Sequence, residues 1–96
     1  MSSHLEVFVD PEELRSFSRQ LDSYAKFVES SAGRINGLMK RLGEYWTDGQ
    51  FREFDEQFQA AQRLLKKFSA EVDRTVPKLD KDAEMAERIR AEKLHL

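Results

Sequence analysis

Cysteine is absent from the 96 residues, which excludes a disulfide scaffold, a thiol nucleophile and a thiolate zinc site. Two prolines and four glycines are too few for a loop-rich fold and point to long regular elements with few turns. Long apolar runs are missing as well. The longest span two or three residues, against the ~18 that a membrane-crossing helix needs, so no membrane insertion is expected. An excess of charge of one sign is also lacking: 16 basic and 18 acidic residues leave a net charge of −2. That removes the whole-chain electrostatic footprint of a nucleic-acid or anionic-membrane binder. Locally the signs interleave, with six basic and five acidic residues from Pro11 to Trp46, then five and six to Val76, then five of each. Interspersed charges of this kind read as solvated helix faces. Met1 to Asp10 has neither a basic n-region nor an apolar h-region, so it does not read as a Sec signal peptide. The expected setting is cytoplasmic, with export by a non-Sec route as the alternative.

What remains is a chain 40% hydrophobic and 35% charged, apolar enough to fold and small enough for one domain spanning residues 1–96. The fold class expected is all-α: an antiparallel hairpin of two long amphipathic helices that dimerises into a four-helix bundle. The first helix should run from about 11 to 45. Asp10 is a good N-cap, Pro11 suits the N1 position, and Glu13 completes a capping box. Val9 and Leu14 have the spacing of a hydrophobic staple. Apolar residues then recur every seven positions. Leu14, Leu21, Val28, Ile35 and Leu42 form one row; Phe17, Tyr24, Ser31, Leu38 and Tyr45 form another. Ser18, Ala25, Ala32, Met39 and Trp46 widen the stripe, which is broader than a two-stranded seam. Gly33 and Gly37 join the small residues that would admit a second helix closely.

A turn is expected at about 46–49, where Asp48-Gly49 is the signal. The second helix should follow from about 50 to 76, with Thr47 and Gln50 at capping-box spacing and Trp46 and Phe51 at staple spacing. Phe51, Phe58, Leu65, Val72 and Leu79 form its main row, joined by Phe54, Ala61, Phe68 and Thr75. Pro77 removes the hydrogen bond to the carbonyl of residue 73, so a kink or an end is expected near Thr75 to Val76, then a kinked or frayed helical tail over 77–96. His4 to Val9 reads as an extended arm. Two helices cannot cover so wide a stripe, so self-association or a helical partner is the strongest physical inference.

Chemistry is sparse. The only histidines, His4 and His95, lie near the two ends, so a nucleophile–base pair has no candidate base and no metal-ligand spacing exists. Carboxylates such as Asp55 and Glu56 fall on polar faces, where no burial is expected and nothing points to acid catalysis. Asp55 itself reads as a first-turn acid favoured by the helix dipole, or else as a partner for Arg19 or Arg41 in another helix. Aromatics recur at core spacing rather than as a base-stacking platform. No catalytic residue, no metal, no cofactor and no nucleic-acid partner are expected; the chain reads as a non-enzyme.

Trp46-Thr-Asp-Gly49 between two long helices, with Phe51, Phe54 and Phe58 descending the second, resembles the WXG100 (ESAT-6-like) superfamily over nearly the whole chain. Members usually show Trp-x-Gly; here the glycine comes one position late. Many also carry a tyrosine followed four residues later by an acid after the second helix, read as a type VII export signal, whereas tyrosine occurs here only at 24 and 45. The resemblance implies a small non-enzymatic hairpin that forms a homodimer or heterodimer. It would act as a type VII-type secretion substrate, or as partner or targeting chaperone of a larger effector. The alternative is a coiled-coil adaptor or effector-neutralising protein that is not exported. Candidate functional residues are therefore the turn, Trp46, Asp48 and Gly49. The interface and core residues are Leu14, Phe17, Leu21, Tyr24, Val28, Ile35, Leu38, Leu42, Phe51, Phe54, Phe58, Leu65, Phe68 and Val72.

Overall fold

The structure, a computed structural model, describes residues 10–95 and the side chains of 10–93; the expected arm at His4 to Val9 and the Val9 staple lie outside them. Two long helices pack against each other as an all-α hairpin. Helix α1 spans Pro11–Leu42 and helix α2 spans Gly49–His95. No helix among the described residues is long and apolar enough to cross a membrane.

Helix α1 begins where the capping chemistry places it. The Asp10 carboxylate accepts the Glu12 backbone N–H at 2.9 Å, and the Asp10 carbonyl accepts the N–H of Leu14 at 3.0 Å. Acids in the first turn (Glu12, Glu13) and bases in the last (Lys40, Arg41) complement the helix dipole. The helix stops three residues short of the expected 45. Beyond Leu42 the chain tightens: Glu44 N–H reaches the Arg41 carbonyl at 3.2 Å and Tyr45 N–H reaches that of Leu42 at 3.0 Å, both one residue tighter than an α-helical bond. The connection therefore covers 43–48, and no described residue adopts a positive φ.

Helix α2 is capped by Asp48, one residue later than the Thr47 expected. Asp48 Oδ1 accepts the Phe51 N–H at 3.0 Å, and the Asp48 carbonyl accepts the Arg52 N–H at 3.3 Å. The expected end near Thr75 to Val76 does not occur, because α2 continues through Pro77 to His95. Asp73 and Pro77 are both exposed, so the bond that the proline removes lies in a turn that no other element covers completely.

The chain packs as two compact units, Met1–Ser23 with Val72–Leu96, and Tyr24–Glu71. In the first, small groups form the seam: Pro11, Ser18, Val72, Ala83 and Ala86 are buried. Polar contacts hold its rim in antiparallel order. Arg15 makes two bonds to Glu87, at 3.1 and 2.6 Å, Ser18 Oγ donates to Asp80 at 2.8 Å, and Arg90 pairs with Glu12. In the second unit Ala25, Met39 and Ser69 are buried. Gln62 donates to the Ala32 carbonyl at 3.0 Å, and Gln59 to Asn36 at 3.4 Å, again antiparallel.

Candidate interaction surface

The turn is a small clasp built on Asp48. The Trp46 and Phe51 rings lie 5.2 Å apart at 56°. The Phe51 backbone N–H, and after it the Trp46 indole, hold the Asp48 carboxyl below its ordinary range by hydrogen bonding to the charged form. The Trp46–Phe51 pair therefore joins residues on either side of the cap. Room for the Phe51 ring comes from Gly43: a Cβ there would stand 3.2 and 3.3 Å from the ring's end, whereas one on Gly49 would meet nothing within 4 Å. Spacing alone directs attention to Gly49. The glycine that the packing needs lies at the end of α1.

An open groove of about 430 Å³ adjoins the clasp, lined in part by Met39, Gly43, Phe51, Asp55 and Gln59. Asp55 accepts a bond from Gln59 of its own helix at 3.4 Å. With α2 starting at Gly49, Asp55 lies past the first turn, so the dipole does not explain its place.

The apolar rows are sorted by size. The buried α1 row is Ser18, Ala25 and Met39, with Ala32 half-buried between them, small at every one of these positions but Met39. The large residues lie to one side of that seam. In the second unit Tyr24, Ile35, Leu38, Leu42 and Phe54 are exposed, Tyr24 by 58% and Leu38 by 56%. Val28, Phe51, Phe58, Leu65 and Phe68 are half-buried there. Tyr24 meets Phe68 edge-on at 6.0 Å, so both helices contribute to this flank. In the first unit Phe17 is exposed and Leu14 and Leu21 are half-buried; Val72 alone of the expected interface and core residues is fully buried. Phe27, Leu64 and Met85 are further exposed apolar side chains that the heptad rows did not single out. The period of the rows carried no information about which of three adjacent rows faces α2. Side-chain volume carried part of it at Ser18, Ala25 and Ala32, because closely packed helices place small residues where they touch, but Met39 and Trp46 in the same row are large.

No curated protein and no solved structure matches the chain. One family does, described as WXG100, proteins of 100 residues with WXG, over residues 6–88. With the match running through α1, the Trp46 turn and most of α2, the chain belongs to the WXG100 family of small helical proteins.

Proposed function

We propose that this protein is a non-enzymatic interaction module whose large-residue flank is covered by a second helical hairpin, either its own copy or a related chain. In that assembled form it serves as a type VII-type secretion substrate, or as the partner or targeting chaperone of a larger effector. One observation carries the reading: the hairpin buries mostly alanine and serine, with Met39 and Val72, while leaving Tyr24, Ile35, Leu38 and Phe54 in water. Contiguous exposed apolar area of that kind marks protein–protein contact. Family membership supports the same reading, since helical hairpins of this type associate through such faces.

Light scattering over a dilution series, with helicity followed in parallel, tests the association. The expected result is a dimer, or a poorly folded monomer that gains helix when a second hairpin is added. A well-folded monomer at all concentrations that no helical partner alters would overturn it. Export is tested separately by following the untagged chain into the medium of its own cells, with the secretion ATPase present and deleted. Appearance that depends on the ATPase supports the secretion role; retention in both strains refutes it.

A further inference from the structure

We propose that the first unit is an acid-released latch: on acidification its two helix segments part along their seam while the second unit stays joined. A guanidinium–carboxylate fork ties the segments together, with Arg15 Nε and Nη2 donating to the two Glu87 oxygens at 3.1 and 2.6 Å. One turn nearer the start of α1, Glu12 pairs with Arg90. The Ser18 hydroxyl donates to Asp80 at 2.8 Å. Each of these contacts sets a carboxylate on one helix against a donor on the other. Asp22 and Arg74 of the same unit are engaged as well.

The charged groups that face the latch are Asp10, Glu12 and Arg15 from the α1 side and Asp80, Glu84, Glu87 and Arg90 from α2. Arg88 adjoins them through its pair with Glu84. At neutral pH the carboxylates outnumber the arginines they surround. Protonation removes the anions and leaves Arg15 on one helix and Arg90 on the other, both still charged. The direction follows from the bonds themselves. Arg90 holds Glu12 at about 2 and Arg15 holds Glu87 below the ordinary 4.5, so the latch is whole above that value and is released as pH falls.

Isolated exposed ion pairs contribute little, but forks and networks are the exception, and here apolar burial is modest. Small residues form the seam, aliphatic side chains are half-buried beside it, and the one described aromatic, Phe17, is 54% exposed. The second unit has Trp46, Phe51, Phe58 and Phe68 half-buried and Met39 buried, and its Gln62–Ala32 bond is neutral. Lys26 and Glu71 are engaged there too, but aromatic area does not titrate. The latch involves none of the exposed flank of the second unit, so it stands or falls independently of the proposed function.

Because the chain has no cysteine, introduced cysteines place spin labels at single positions. One chain carries Gln20→Cys with Met85→Cys in the first unit, another Ser30→Cys with Ala60→Cys in the second; all four sites are exposed and uncharged. Double electron–electron resonance at pH 7 and about pH 3, with labelled chain diluted into unlabelled, reads the distances within one chain. The 20–85 distance should be narrow at pH 7, broaden and lengthen in acid, and recover on return to pH 7. The 30–60 distance should stay narrow at both. Glu12→Gln with Glu87→Gln carries uncharged groups at any pH, so it should broaden the 20–85 distance already at pH 7 and leave the 30–60 distance narrow. A 20–85 distance unmoved by acid, loss of both distances together, or a double variant still closed at pH 7 would each overturn the proposal.

Discussion

Gly43 and Gly49 flank the same turn, yet only one of them makes room for a neighbour. The Phe51 ring fills the space where a Gly43 side chain would stand, while Gly49 is open and holds no positive φ. Gly43→Val should therefore cost roughly 1–3 kcal/mol as an overpacking substitution. Gly49→Ala should change stability by less than about 0.5 kcal/mol, typical of a surface position. Thermal midpoints of the two variants decide it, and the reverse order would mean that the turn depends on backbone freedom at 49. Trp46 is half-buried, so Trp46→Ala should cost about 1–2 kcal/mol, less than the loss of a fully buried aromatic. Should the midpoint stay put while partner binding fails, the ring acts in recognition and not in packing. The clasp was partly legible in the sequence. Trp46 and Phe51 were paired by spacing, but Thr47 and Asp48 are both good caps, and propensity cannot choose between adjacent candidates.

Proline inside α2 and ion pairs at its far end make separate predictions for the element. Pro77 costs one backbone bond, at a place where Asp73 and Pro77 are exposed, and the helix continues. Pro77→Ala restores that bond and should stabilise the chain by about 1–3 kcal/mol, seen as a higher urea midpoint at unchanged slope. No rise would mean that the chain stiffness proline lends the unfolded state offsets the missing bond. Near Thr75 to Val76 the sequence left a kink or an end open; the end does not occur, since packing at Val72, Ala83 and Ala86 on either side of the proline holds one helix, and local propensity does not show that packing. In the first unit Glu12 is lowered to about 2, first by its bond from Arg90 and then by Asp10, and Glu87 is lowered by Arg15. Both folded-state values lie below the ordinary 4.5, so the stability they contribute is complete above that pH. It is lost as pH falls, down to about 2 for Glu12. Both pairs are exposed enough for salt to weaken them. Melting followed from pH 7 downward should show a decline beginning below pH 5. A Glu12→Gln, Glu87→Gln double variant should flatten that decline, and an unchanged profile would show that other carboxylates carry the acid sensitivity.

At the scale of the whole molecule, the second unit leaves Tyr24, Ile35, Leu38, Leu42 and Phe54 in water while burying Ala25, Met39 and Ser69. The hairpin and the breadth of its apolar stripe were readable from the seven-residue rows, because periodicity records which residues avoid water. What periodicity could not assign was the division of that stripe between the side that meets α2 and the side left in water. Neighbouring residues Leu38 and Met39 sit on either side of that division: Leu38 is 56% exposed and Met39 7%. Met39→Asp places a carboxylate in the buried seam between α1 and α2 and should abolish most helicity at any concentration. Leu38→Asp leaves that seam intact and removes apolar area only from the flank. It should shift light-scattering mass to the monomer and raise the dissociation midpoint by at least about tenfold. The dilute monomer of Leu38→Asp should match the helicity of the dilute parent, because both then lack the same cover. If Leu38→Asp instead unfolds the chain as Met39→Asp does, the two rows are one core and the flank is no interface. If it leaves mass and midpoint untouched, the second hairpin docks elsewhere.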